Sequence, residues 1–209
     1  ISQQHGTSIF TALYLVDVLF EMNAADHAVV FGVDKWISPL RRHIPNVTFL
    51  GDGAGALVLL RNNSPGLRLA DIKIKQAMVH ADINLIRQSL QLFPMGEIVK
   101  QLKLLITDML NRNEITIKRI RYVVFSHINR QLAAKLHDSL EIDEKQLISD
   151  LADDFGYVST ADTILGLEHL LTHYQLEDKQ HVLVWSAGFE GNLACALFLY
   201  DSNRQPVDI

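Results

Sequence analysis

Apolar residues recur at helical spacing between Ser8 and Met22, where Ala12, Leu13, Leu15, Val16, Leu19 and Phe20 predict an amphipathic helix. His27 to Val33 follows as a short apolar run bounded by charge and glycine, the pattern of a buried strand. Trp36 to Val47 holds Pro39, Pro45 and several polar residues and reads as a loop. Gly51-Asp52-Gly53-Ala54-Gly55-Ala56 then reads as a glycine turn feeding the strand Leu57 to Leu60. The far end repeats this order. Thr160 to Tyr174 predicts a helix, His181 to Trp185 a strand, Ser186 to Gly191 a glycine turn, and Leu193 to Tyr200 a second strand. Helix, strand, glycine connection and strand therefore occur twice, which predicts a duplicated α/β core.

Between these units, Asn62-Asn63-Ser64-Pro65-Gly66 stacks turn formers and is the expected boundary, dividing the chain into a first unit over 1–61 and a second over 67–209. Leu67 to Ala77 alternates imperfectly and predicts the first strand of the second unit, while Val79 to Phe93 is ambiguous. From Gly96 to Leu110, Ile98, Val99, Leu102, Leu105, Ile106 and Leu110 define a strongly amphipathic helix. Ile120 to Phe125 is a buried strand ending at Ser126-His127, and Asn129 to Leu140 returns to helical spacing. Asp154-Phe155-Gly156-Tyr157 bends into the helix that begins near Ser159 or Thr160. The alternation predicts an α/β fold with largely parallel central strands and hairpin-like glycine connections at the sheet margins.

Composition narrows the function. The 209 residues are 48% hydrophobic, enough for sheets buried on both faces. A formal charge of -5 without a long basic run argues against nucleic-acid binding, and Arg41-Arg42-His43 reads as a solvated turn. No apolar run is long enough to span a bilayer and the first residues lack the succession of a secretory signal, so a soluble cytoplasmic protein is the expectation. The single cysteine, Cys195, sits in an apolar strand and reads as a small core residue rather than a nucleophile. Glu168, His169 and His173 lack a convergent ligand set, so no metal is expected, and no cofactor is implied. The glycine run lacks the Lys-Ser or Lys-Thr ending of a phosphate loop, which disfavours nucleotide binding.

Four pieces in order resemble the thiolase-like condensing enzymes, most closely beta-ketoacyl-ACP synthase III and its acyltransferase relatives. They are the helix entry from Gln4 to Leu13, Gly51 to Ala56, the strand end Ser126-His127-Ile128-Asn129, and the terminal Ser186 to Tyr200 unit. The resemblance implies a layered αβαβα fold of two quasi-equivalent halves, the first lacking its N-terminal strands, with upstream sequence absent before Ile1. It also implies a pocket for acyl-CoA or an acyl carrier protein and dimerisation through the first half. His127 is carried over as the catalytic histidine. Read without the resemblance, a histidine at this strand end is a capping or hydrogen-bonded structural residue.

Two departures stand out. Aligning Ile9 to Leu13 with the family helix puts Gly6 at the position of the nucleophilic cysteine, with His5 beside it and Thr7 next, and glycine cannot form an acyl-enzyme. His5, Gly6 and Thr7 are accordingly expected to border the substrate. Thr7 or Ser8 could supply a hydroxyl in place of the thiol, or simply cap the helix. Tyr157 stands where active synthases have the asparagine that supports decarboxylation, which puts ordinary condensation in doubt. Gly188 falls near the glycine whose N–H helps form an oxyanion hole, although Glu190 nearby would oppose that use if it pointed inward. Two functions stay open. One is acyl transfer or hydrolysis in fatty-acid or polyketide-type metabolism, with His127 as base and Tyr157 and Gly188 supporting the oxyanion. The other is a non-catalytic subunit pairing with a cysteine-bearing paralogue, as against a homodimer.

Overall fold

The structure, a computed structural model, describes residues 4–37, 42–61, 65–77, 86, 92–149, 151 and 155–202. Asn62 to Ser64 of the expected boundary, nearly all of the ambiguous stretch 79–93, Arg41, Pro39 and Asp154 lie outside the described residues.

A 3-10 turn at His5–Thr7 opens helix α1 (Ser8–Glu21). Strand β1 (His27–Asp34) follows, then the short strands β2 (His43–Ile44) and β3 (Thr48–Phe49), then β4 (Gly53–Leu60). Then come β5 (Gly66–Gln76), α2 (Met95–Arg112), β6 (Ile120–Phe125), α3 (Arg130–Leu140), β7 (Leu147–Ile148), α4 (Thr160–His173), β8 (His181–Ala187) and β9 (Asn192–Asp201).

The main sheet has the order β5-β9-β8-β6-β7. Its β8, β6 and β7 strands run parallel, as the alternation predicted, whereas β9 is antiparallel to both β8 and β5. The mixed character follows from the glycine turn after Ala187, which returns the chain as a hairpin instead of a helical crossover. β8 and β9 are apolar on both faces because both are covered. On one face α2 and α3 pack Ile98, Leu102, Ile106, Leu132 and Leu136 against Phe125, Leu183, Trp185 and Leu193. On the other, α1 and α4 pack Phe10, Leu13, Ile164 and Leu167 against Val124, Val184, Ala194 and Ala196. The antiparallel pair β1–β4 lies beyond α1 and α4, so four layers succeed one another in the order α, β, α, β.

One expectation is corrected here. Gly51 to Ala56 is not a turn: β4 begins at Gly53 and pairs in full register with β1, from Asp34 opposite Gly53 to His27 opposite Leu60. A Cβ at Gly55 would stand 2.7 Å from Ile164, so glycine serves there to admit α4 against the strand. Likewise, the loop expected over Trp36 to Val47 contains one arm of the β2–β3 hairpin.

His137 is the least comfortable polar residue of the core. Its ring meets Phe125 edge-on at 4.7 Å and Trp185 at 5.7 Å, and burial lowers its pKa to about 4. A histidine that binds its proton less readily folded than unfolded contributes stability above its unfolded pKa and loses it as pH falls toward the folded value. The shift corresponds to about 3 kcal/mol in full, of which about 2 kcal/mol is lost between pH 7 and pH 5. Urea unfolding at the two pH values should show this loss, and His137→Leu should remove most of the difference; an unchanged difference would assign the acid sensitivity to other groups.

Candidate functional site

The N-termini of the two central helices, α1 and α4, meet above the ends of β6 and β8, and every element of the site hangs from that meeting. β6 ends at Phe125, and Ser126 continues its ladder by donating its N–H to the Trp185 carbonyl at 3.1 Å. His127 therefore leaves the sheet at a fixed point. Asn129 then caps α3, its Oδ1 accepting the Leu132 N–H at 2.7 Å, while its Nδ2 donates to the Val47 carbonyl at 2.9 Å. The histidine is thus held between a strand end and a capped helix, with the β2–β3 hairpin of the first unit tied to the same turn.

Asp162 fixes the imidazole. Its Oδ2 accepts the His127 backbone N–H at 2.7 Å and its Oδ1 lies 2.8 Å from Nδ1. The two side chains are 2% and 6% exposed, so the pair is closed to bulk water. A carboxylate partner requires the proton on Nδ1, which leaves Nε2 as the basic nitrogen, and Nε2 has no hydrogen-bond partner among the described residues. Asp162 sits in the first turn of α4, where the helix N-terminus favours negative charge. The sequence reading did not single out Asp162. Its signal was an acidic residue among the apolar positions Ala161, Ile164 and Leu167, a placement that burial tolerates only with partners.

Tyr157 lies at the centre of the remaining polar groups and is wholly buried. Its backbone is clamped by the first unit: its N–H donates to the Phe49 carbonyl at 2.8 Å and its carbonyl accepts the Gly51 N–H at 2.9 Å. Such a close crossing requires Gly156, which takes a φ of +65° and approaches the Phe49 carbonyl more nearly than any Cβ could. The phenol hydroxyl accepts the Gly6 N–H at 3.2 Å and donates to the Ala187 carbonyl at 3.4 Å. Burial first, and then the charge of Asp162, hold its pKa well above the ordinary phenol value, so Tyr157 is a neutral donor. Ser159 adopts φ +52°, ψ -113°, a strained conformation for serine, and its hydroxyl lies against that of Tyr157 without hydrogen-bond geometry. Instead of Ser159, Asp34 at the end of β1 caps α4, accepting the Thr160 N–H at 2.7 Å.

The other residues singled out in the sequence fall as follows. Gly6 is buried beside Tyr157, and the backbone bend that opens the α1 turn belongs to His5, at φ +49°. The His5 ring rests edge-on against Phe189, which in turn meets the Tyr157 ring at 5.6 Å. Thr7 and Ser8 do not cap α1 through their side chains: their hydroxyls donate back to the Gln4 and His5 carbonyls at 2.7 and 2.8 Å. Glu190 is exposed. Cys195 is buried with its Sγ 3.6 Å from Met109 Sδ, and burial pushes its thiol up to about 12, which rules it out as the nucleophile.

Gly188 requires a correction. Its N–H already donates to the Asn192 carbonyl at 2.7 Å and closes the β8–β9 hairpin, so it cannot serve an oxyanion. Bonded pairs alternate along an antiparallel ladder, so the neighbouring Ala187–Leu193 pair is the non-bonded one. The Ala187 N–H is therefore directed away from β9, toward the side on which β6 ends beside His127.

Ser159 joins the two groups. Its carbonyl accepts the Asp162 N–H at 3.2 Å and lies 3.2 Å from where a Gly6 Cβ would stand. His127 and Asp162 thus adjoin Gly6, Tyr157 and Ser186 in one buried polar cluster. An open groove of about 680 Å³ lies elsewhere, between α1, β4 and β5, and is lined by Leu13, Val16, Phe20, Leu59, Leu69 and Phe198 among others. None of its lining residues belongs to the cluster around His127. Among the described residues no set of three or more His, Cys, Asp or Glu side chains could hold a metal, and no helix is long and apolar enough to cross a membrane.

Similarity to known proteins bears on the fold. Residues 110–200 match the family model of the 3-oxoacyl-[acyl-carrier-protein] synthase III C-terminal region. The acyltransferase ChlB3 superposes with a TM-score of 0.78 at 21% identity, and 3-oxoacyl-(acyl carrier protein) synthase III from Pseudomonas aeruginosa with 0.76 at 21%. Both alignments cover 97% of this chain and 67% of the other. OleA from Xanthomonas campestris superposes at 0.74 with 15% identity, over 94% of this chain and 61% of its own. No curated protein matches in sequence. The fold is that of the thiolase-like condensing enzymes. Within that class the chain is similar to the synthase III and acyltransferase branch, and it spans about two-thirds of the length of the first two of these solved relatives.

The close packing of α4 on β6 that brings Asp162 to His127 depends on Gly166, where a Cβ would stand 2.5 Å from a Val124 methyl. Alanine would add about 1 kcal/mol of helix propensity but overpack the contact by about 1–3 kcal/mol. Gly166→Ala should therefore lower the urea midpoint, and in a Val124→Ala background the same change should raise it.

Proposed function

We propose that this protein handles acyl thioesters, binding acyl-CoA or an acyl carrier protein, with His127 acting as general base without a covalent enzyme intermediate. The observation that carries this reading is the buried His127–Asp162 pair, in which Nε2 has no hydrogen-bond partner among the described residues. In the step envisaged, Nε2 takes a proton from water or an acceptor hydroxyl as that oxygen attacks the thioester carbonyl. The Ala187 N–H is the group offered to the developing oxyanion, Tyr157 supporting it by donating its hydroxyl to the carbonyl of the same residue, and the leaving thiolate recovers the proton from the imidazolium. Asp162 keeps the imidazole in the required tautomer and stabilises its charged form. In this reading residues 1–61 and 67–209 act as the two halves, His5, Gly6 and Thr7 border the acyl group, and the setting is cytoplasmic fatty-acid or polyketide-type metabolism.

A second reading has its own support. The absence of a side chain at Gly6 and the presence of Tyr157 beside it favour a non-catalytic subunit that dimerises with a cysteine-bearing paralogue.

Release of free thiol from acetyl-CoA and from an acetylated carrier protein separates the two. Under the first reading the chain alone turns over thioester, His127→Ala lowers kcat/KM by about 10²–10⁴-fold, and Asp162→Asn lowers it less. Turnover that survives His127→Ala would refute the base assignment. Activity that arises only with the paralogue, at a rate indifferent to His127→Ala, would establish the subunit reading.

A further inference from the structure

We infer that Tyr157 fills the space of the missing nucleophile, so that Gly6 and Tyr157 form a matched pair in which neither can revert alone. A Cβ built at Gly6 would stand 2.8 Å from the Tyr157 hydroxyl and 2.8 Å from Ser186 Oγ, with the Ser159 carbonyl at 3.2 Å. The three contacts differ in how far they can yield. Ser186 can rotate, because its hydroxyl has no hydrogen-bond partner among the described residues. The Ser159 carbonyl is backbone, but at 3.2 Å it needs to give only a few tenths of an ångström. Tyr157 cannot move. Its backbone is bonded to Phe49 and Gly51, its ring stands at 90° against Phe189, and its hydroxyl bridges the Gly6 N–H and the Ala187 carbonyl.

A cysteine at position 6 starts from that same Cβ and so meets the phenol hydroxyl with its first side-chain atom. The loss of the thiol is therefore built into the packing on two opposed elements, the entry to α1 and the entry to α4, and is not a single deletion awaiting reversal. Tyr157 closes the site where an acyl group would otherwise be attached, and it replaces that function with a hydrogen bond that satisfies the otherwise buried Gly6 N–H. This inference rests on the fold reading above only in naming position 6 as the nucleophile's place; the steric pairing stands on the coordinates.

Two measurements test it. Native-state alkylation by iodoacetamide, located by peptide mass, should be at least ten-fold slower for Gly6→Cys than for Gly6→Cys combined with Tyr157→Asn; equal rates would overturn the pairing. Should the cysteine variants fold poorly, a urea-unfolding cycle decides instead. Gly6→Ala should lower the midpoint in the parent chain, and at least half of that loss should vanish in a Tyr157→Phe background. Equal losses in both backgrounds, or no loss in the parent, would refute the inference. Neither readout uses an acyl substrate, so a failed pairing leaves the His127 reading standing, and absent thioester turnover leaves the pairing standing.

Discussion

The bond between the Asp162 carboxylate and His127 is the constraint around which the second half of the molecule is arranged. A carboxylate that is almost wholly buried is tolerable only if its charge is met, and three features meet it: the His127 N–H, the His127 ring and the N-terminal turn of α4. Each makes a demand on the fold. α4 must point its N-terminus at the end of β6, β6 must stop at Phe125, and the chain must turn there at once. Gly166 allows α4 close enough to β6 for the bond to form, and Asn129 secures the turn by capping α3.

The first unit matters to this site mainly through backbone and caps. Asp34 supplies the α4 cap that Ser159 leaves unmade, Phe49 and Gly51 grip Tyr157, and Val47 receives the Asn129 amide. The polar cluster is consequently assembled from segments far apart in sequence, over a sheet that contributes only strand ends. Such an arrangement places side chains to within a rotamer while leaving their chemistry open to exchange. The Gly6–Tyr157 pair is one such placement, the phenol hydroxyl standing where a side chain at position 6 would begin.

The fold is shared with acyltransferase and synthase structures. A scaffold that brings two helix N-termini together concentrates positive potential at one point, which suits a thiolate or an oxyanion. Here that point is occupied by neutral hydroxyls of Tyr157, Ser159 and Ser186. The two helix N-termini still converge on that point, and the one cysteine of the chain, Cys195, lies buried in β9 away from it.

Much of this was legible along the chain. Periodicity located α1, α2, α3, α4 and the principal strands because apolar spacing reports which face of an element is covered, a property each segment carries in itself. The strand end at His127 and the absence of a thiol at Gly6 were likewise local facts. What the sequence could not show was any relation between segments. Gly51 to Ala56 has the composition of a turn, yet from Gly53 onward it is strand, paired with β1 and packed under α4. Gly188 had the right neighbours for an oxyanion donor, yet its N–H was claimed by a hairpin bond set by register with β9. Asp162 lies 35 positions from the histidine it orients, and Tyr157 lies 151 from the glycine it blocks. Local pattern determined the elements and the residue types available for chemistry; only tertiary packing, which decides which buried groups share one small volume, determined their partners.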